Sequence, residues 1–139
     1  MPEGDYAAFR ALDPFFAVVM DGLSKFVDGE HYFDTLHDDV LFEFRYDLPG
    51  WPQVMRGRAN LVALYSGYGN NIRLDRGDAL IAHPSDNGRV VTLEYEVHGK
   101  ILATDTPFVS IATIENRKIV RWRDYMDSLA AWRALNRVT

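Results

Sequence analysis

One carboxylate in this sequence stands apart by its company. In the stretch KIVRWRDYMD, period two puts Val120, Trp122, Asp124 and Met126 on one face and Arg121, Arg123 and Tyr125 on the other. An aspartate among apolar side chains is a candidate acid or base. Burial disfavours its charged form, lifts it above the usual value of about 3.9 and brings proton exchange within reach at neutral pH. Arg121, Arg123 and Arg45 all alternate onto opposite faces, so desolvation is expected to dominate. A plain structural reading stands beside this one: an acid near a strand end, paired with an arginine, as occurs in purely structural networks.

Other polar groups could serve or merely pack. Tyr46, Tyr65 and Tyr95 could each offer a hydroxyl to a substrate oxygen, or could bury the ring and leave the hydroxyl in water. His31, His37, His83 and His98 lie on different elements without the spacing of metal ligands, so no metal is expected, and His83 and His98 are expected at the surface. Cysteine is absent, which removes thiol nucleophiles, disulfides and zinc clusters together and suits a reducing cytoplasmic setting. There is no Gly-rich phosphate loop, HExxH or nucleophile elbow.

Positioning these groups falls to elements that the periodicity predicts. Asp13-Pro14 opens a helix over residues 14–27, with Phe16, Val19, Met20, Leu23, Phe26 and Val27 on one side, and Gly29 ends it. A short second helix over 30–36 leads into HDDVLFEFRYD, where Val40, Phe42, Phe44 and Tyr46 share one strand face. DLPGWPQVMRG is loop chemistry, and a third helix runs from Arg58 to about Tyr68. Strands then follow at about 72–83, 89–98, 100–114 and 118–126, separated by Asp86-Asn87-Gly88, His98-Gly99 and Glu115-Asn116-Arg117. A last short helix carries Leu129, Trp132 and Leu135. Helices followed by hairpin-linked strands make an α+β layout, with N-terminal helices on one face of a strongly curved, mostly antiparallel sheet.

The chain of 139 residues has the length of one domain, with no repeat or linker to divide it. Its formal net charge of −5 offers no field for nucleic acid or an anionic membrane. The N-terminus lacks a signal-peptide pattern and no apolar run approaches the roughly 20 residues of a membrane span, so the expected location is cytoplasmic.

Three segments carry a resemblance over about residues 13–135: FVDGEHYFDTLHDDVLFEF, MRGRANLVALY and, most specifically, IENRKIVRWRDYMDSLAAW. They resemble the nuclear transport factor 2-like superfamily, which includes SnoaL-like polyketide cyclases, ketosteroid isomerases and limonene epoxide hydrolases. The resemblance implies a cone-shaped, cystatin-like α+β barrel whose concave sheet face lines a pocket. Asp124 matches the aspartate of the epoxide hydrolases' WRDYFD segment, which acts there on the catalytic water or epoxide system. The rest of the known machinery departs from the pattern. The isomerases' general-base aspartate, helix-one tyrosine and protonated oxyanion-hole aspartate correspond to Phe44, about Gly22 and Val109. The hydrolases' water-positioning Tyr and Asn correspond to Phe42 and Phe44, and LEYEV lacks their arginine.

The expected site is therefore Asp124 in a pocket lined by Phe42, Phe44, Tyr46, Tyr65, Tyr95, Val109, Trp122 and Met126, which offers apolar area but no basic group for phosphate. The leading reading is proton-transfer chemistry, as an isomerase, cyclase or epoxide hydrolase, on a small apolar carbonyl- or epoxide-bearing substrate without a cofactor. The alternative is a non-catalytic ligand-binding or assembly module of the same fold; recognition of a protein partner through the convex sheet is a third. A homodimer is expected through that convex face, where Arg121, Arg123, Tyr125, Glu94 and Glu96 make a mixed-charge surface.

Overall fold

The computed structural model of the chain describes residues 6–46, 52–66, 73–101, 106–127 and 129. A 3-10 helix over Ala7–Leu12 runs directly into helix α1 (Asp13–Leu23), and a 3-10 turn over Tyr32–Thr35 leads into β1 (Leu36–Phe44). After β2 (Val54–Arg56) and α2 (Arg58–Ser66) come four long strands, β3 (Arg73–Pro84), β4 (Val90–Ile101), β5 (Thr106–Glu115) and β6 (Lys118–Met126).

The six strands form one open sheet in the order β2-β1-β6-β5-β4-β3, antiparallel throughout except where β1 runs parallel to β6. This is the α+β arrangement that the sequence predicts, with a mostly antiparallel sheet that does not close on itself. The β1–β6 pairing joins the beginning of the sheet to its end and sets Phe42 beside Trp122 and Phe44 beside Asp124. Helix α1 packs on β3 and β4, and α2 packs on β1. Between helices and sheet lies an aromatic core in which Tyr32, Phe33, Phe42 and Trp122 are fully buried. Among the described residues no helix is long and apolar enough to cross a membrane.

Several boundaries differ from the sequence reading. Helix α1 stops at Leu23, and residues 24–26 form a turn. The expected helix over 30–36 is a single 3-10 turn, and Gly29 before it, with φ +143°, lies so close that an added Cβ would sit 2.9 Å from the Asp34 backbone. His98-Gly99 is not a hairpin; β4 continues through it, paired with β3, and His98 is buried with Nε2 2.7 Å from Asp78 Oδ1. Its expected surface position is thereby corrected, whereas His83 is exposed and meets Glu94 at 2.6 Å. The β5–β6 turn is the two-residue kind, with Asn116 (φ 51°) and Arg117 (φ 62°) both left-handed, as the twist of a tight hairpin requires. Of the expected C-terminal helix only Leu129 falls within the described residues; Trp132 and Leu135, like Tyr68 and Trp51, lie outside them.

Candidate active site

The concave side of the sheet is built by strand alternation. On β6, Ile119, Trp122 and Asp124 are buried while Arg121, Arg123 and Tyr125 stand half-exposed on the other face. Ile119, not Val120, takes the inward position, because the β5–β6 register shifts between Thr113 and Ile114 and displaces the alternation by one residue. On β4 the inward set is Val91, Leu93, Tyr95 and Val97, and Glu94 is exposed.

Asp124 occupies the middle of this face, 2% exposed. Trp122 donates from Nε1 to its Oδ1 at 2.5 Å, and Ser110 donates from Oγ to the same oxygen at 2.6 Å. Ser110 stands directly opposite Asp124 in the antiparallel register, so the pairing of β5 with β6 delivers that hydroxyl. The Tyr95 hydroxyl lies 2.7 Å from Ser110 Oγ and extends the chain to β4. Burial pushes the Asp124 carboxyl up to about 7, against the two hydrogen bonds, which pull it down. Arg121 and Arg45 are engaged on the other face. Arg121 donates to Glu43 at 2.5 Å on the opposite face, with Arg45 3.6 Å from the same carboxylate.

Aromatic rings surround this carboxylate. Phe42 stacks on Trp122 with centroids 6.1 Å apart, and Phe44 lies 4.7 Å from Phe42. Tyr65 reaches in from α2 to meet Phe42 edge-on at 6.4 Å, and Tyr46, half-buried, meets Phe44 at 6.0 Å. Phe108 stacks on Tyr95 at 5.5 Å, and half-buried Met126 is the register partner of Phe108. Thus Phe42, Phe44, Tyr65, Tyr95 and Trp122 gather on the concave side with Asp124. Val109 does not: it pairs with Glu94 and Tyr125, one residue out of phase with Ser110, and its side chain belongs to the convex face. Its expected place in the lining is corrected for that reason.

Two polar residues of the site escaped the sequence reading. Ser110 was legible in principle, because alternation along TPFVSIATIE puts Thr106, Phe108, Ser110 and Ala112 on one face. Tyr32 carried no such signal. It sits in a 3-10 turn, fully buried, its ring edge-on to Trp122 at 5.1 Å, and among the described residues its buried hydroxyl has no hydrogen-bond partner. Burial, and next the charge of Asp124, hold its phenol well above the usual value, so it stays protonated and can act as a donor. Among the described residues no group of three or more His, Cys, Asp or Glu is arranged to hold a metal ion.

No protein-family model matches the chain. A curated relative, the uncharacterized protein YesE of Bacillus subtilis (strain 168), is 26% identical over 106 residues, which cover 73% of this chain and 72% of YesE. Among solved structures, the "putative isomerase" of Bacillus subtilis superposes with a TM-score of 0.71 at 22% identity, covering 93% of this chain and 92% of that one. A phenazine biosynthesis-related protein of Pseudomonas aeruginosa gives 0.67 at 19% identity, covering 98% and 89%. An NTF2-like protein of Burkholderia xenovorans gives 0.63 at 20% identity, covering 96% and 98%. With helices on one side of an open sheet and a buried aspartate on the last strand, this chain has the fold of the nuclear transport factor 2-like proteins.

Proposed function

We propose that the protein is an enzyme of the isomerase, cyclase or hydrolase kind, moving a proton on a small apolar substrate with a carbonyl or epoxide oxygen. The reading is carried by Asp124, a carboxyl buried among aromatic rings and raised by that burial to about 7, where it can both take and return a proton near neutral pH. In an isomerisation or a ring closure, Asp124 removes a proton from a carbon next to the carbonyl and later returns one, with no net change in protonation. The hydroxyl of Tyr32 donates a hydrogen bond to the oxygen on which negative charge develops. Solved neighbours called a "putative isomerase" and an LEH-like epoxide hydrolase support the class without fixing the substrate.

The experiment is a thermal-shift screen followed by proton exchange. Terpenoids, steroids and aromatic polyketide analogues should stabilise the protein, whereas ATP and NADH should not. A bound ketone should exchange its α-hydrogens with D2O in an Asp124-dependent manner. Stabilisation by nucleotides alone, or exchange that persists in Asp124→Asn, overturns the proposal.

A non-catalytic module is the second reading, favoured by one observation: Tyr32, Phe33, Phe42, Phe44, Tyr95 and Trp122 are each exposed by 2% or less and occupy much of the concave side themselves. It predicts no apolar ligand at all in the screen. In either reading the chain pairs with a second copy through the convex face. Half-buried Arg123 supports this, because among the described residues its Nε has no hydrogen-bond partner. A dimeric mass in light scattering at micromolar concentration is the expected result, and a monomeric mass counts against it.

A further inference from the structure

The two oxygens of the Asp124 carboxylate are not equivalent. The donors Trp122 Nε1 and Ser110 Oγ both go to Oδ1, at 2.5 and 2.6 Å, and among the described residues no donor reaches Oδ2. The direction of the chain behind them follows from the inventory of hydrogens. An ionised carboxylate can only accept, so Ser110 spends its single hydrogen on Oδ1, and its bond to Tyr95 must therefore be one in which the phenol donates. Tyr95 can hold that role throughout, since burial and then the charge of Asp124 keep its phenol protonated. The indole N–H of Trp122 has no other state; it donates or is unsatisfied.

We propose that Ser110 and Trp122 together reserve Oδ1 as an acceptor and thereby assign the exchangeable proton of Asp124 to Oδ2, with Tyr95 locking Ser110 in its donor orientation. A proton on Oδ1 would crowd the indole N–H of Trp122, which can only donate, and would be accommodated on the other side only if Ser110 and Tyr95 both reversed their bonds, in a buried setting where an unmade bond is costly. A proton on Oδ2 leaves all three bonds of the chain intact. Ser110 and Tyr95 are in this account positioning residues. Strand register makes the chain possible: Ser110 faces Asp124 directly, and Tyr95, the partner of Phe108, reaches Ser110 on the diagonal.

This inference rests on Asp124 being the working acid and base, and its test is independent of any substrate. The Asp124 carboxyl is followed by 13C NMR across pH in the full chain and in Ser110→Ala, Ser110→Thr and Tyr95→Phe. The Ser110→Ala midpoint should move up by roughly one pH unit, since a donor to the charged form is lost. Tyr95→Phe should move it the same way by less, and Ser110→Thr should restore the wild-type midpoint. A crystal structure of the wild type at atomic resolution, grown near pH 5, should show the longer C–O bond at Oδ2. An unchanged or lowered midpoint in Ser110→Ala, or the longer bond at Oδ1, overturns the proposal. The bond-length reading stands even if Ser110→Ala fails to fold. Should the titrations follow expectation while no ligand undergoes proton exchange, the enzymatic reading fails and the assignment of the proton survives.

Discussion

The ring of Tyr32 meets the indole of Trp122 edge-on at 5.1 Å, and so a 3-10 turn from the N-terminal half places a buried hydroxyl, unpartnered among the described residues, where the charge of Asp124 on the last strand acts on it. An orphaned buried hydroxyl costs about 1–3 kcal/mol that the fold recovers only when something accepts from it. Replacing Tyr32 by Phe should therefore leave stability equal or raise it by about 1 kcal/mol in urea denaturation. The same variant should weaken an apolar ketone ligand roughly tenfold, the worth of one hydrogen bond to an uncharged group. Marked destabilisation would assign the hydroxyl a structural partner instead.

Asp124 gives the fold a pH dependence of unusual sign. Its folded value of about 7 lies above the unfolded value of 3.8, so between those limits the folded state binds the extra proton. The slope of stability with pH is then negative. Asp124's contribution is fully present below about pH 4 and is lost as pH rises through 7, a change of roughly 4 kcal/mol if the whole shift is expressed. Denaturation midpoints measured from pH 4 to 8 should carry this falling component.

Asp124→Asn should remove that component. The asparagine carbonyl can take the two bonds that Oδ1 now receives, and no buried charge has to form. Folding should be intact, stability at pH 8 should exceed wild type, and proton exchange on a bound ketone should disappear. A variant that unfolds would show Asp124 to be a structural acid.

Glu43 on the convex face has the opposite sign. The hydrogen bond from Arg121 holds its carboxyl below the usual value, so its contribution is present above about pH 4.5 and is lost as pH falls through the depressed folded value. Arg121 is 44% exposed, which screens the pair, and Glu43→Gln should cost about 1 kcal/mol at pH 7 and nothing near pH 2. Urea titrations at the two pH values test this.

Packing of α1 on β3 offers a control remote from the site. A Cβ on Gly77 would lie 2.8 Å from Val18 Cγ1 and 2.9 Å from the Pro14 carbonyl oxygen, and the backbone cannot yield cheaply. Gly77→Ala should cost about 1–3 kcal/mol while leaving the Asp124 titration unchanged.

Alternation made much of this legible in the sequence. Period two separated Trp122 and Asp124 from Arg121 and Arg123, and Phe42 and Phe44 from Glu43 and Arg45, because side chains on a strand point to opposite faces regardless of what the strand pairs with. The order of helices and hairpin-linked strands gave the α+β class, and the absence of any inward-facing arginine already favoured a raised carboxyl at Asp124.

Alternation fails where the register shifts. The irregularity between Thr113 and Ile114 gave the inward place to Ile119 instead of Val120, and β4 running straight through His98-Gly99 buried a histidine that reads as a turn residue. Val109 reads as a lining residue by analogy with other chains of this fold, yet its own strand puts Ser110 inward and Val109 out. The partners of Asp124 belong wholly to the tertiary structure. Ser110, Tyr95 and Tyr32 come from two other strands and a 3-10 turn, and no local rule relates positions 32, 95, 110 and 124. The residue types and their faces are fixed by local stereochemistry, which the sequence contains. Which hydroxyl meets which carboxylate oxygen is decided only when the parallel closure of β1 on β6 and the packing of the N-terminal helices bring distant segments into one buried space.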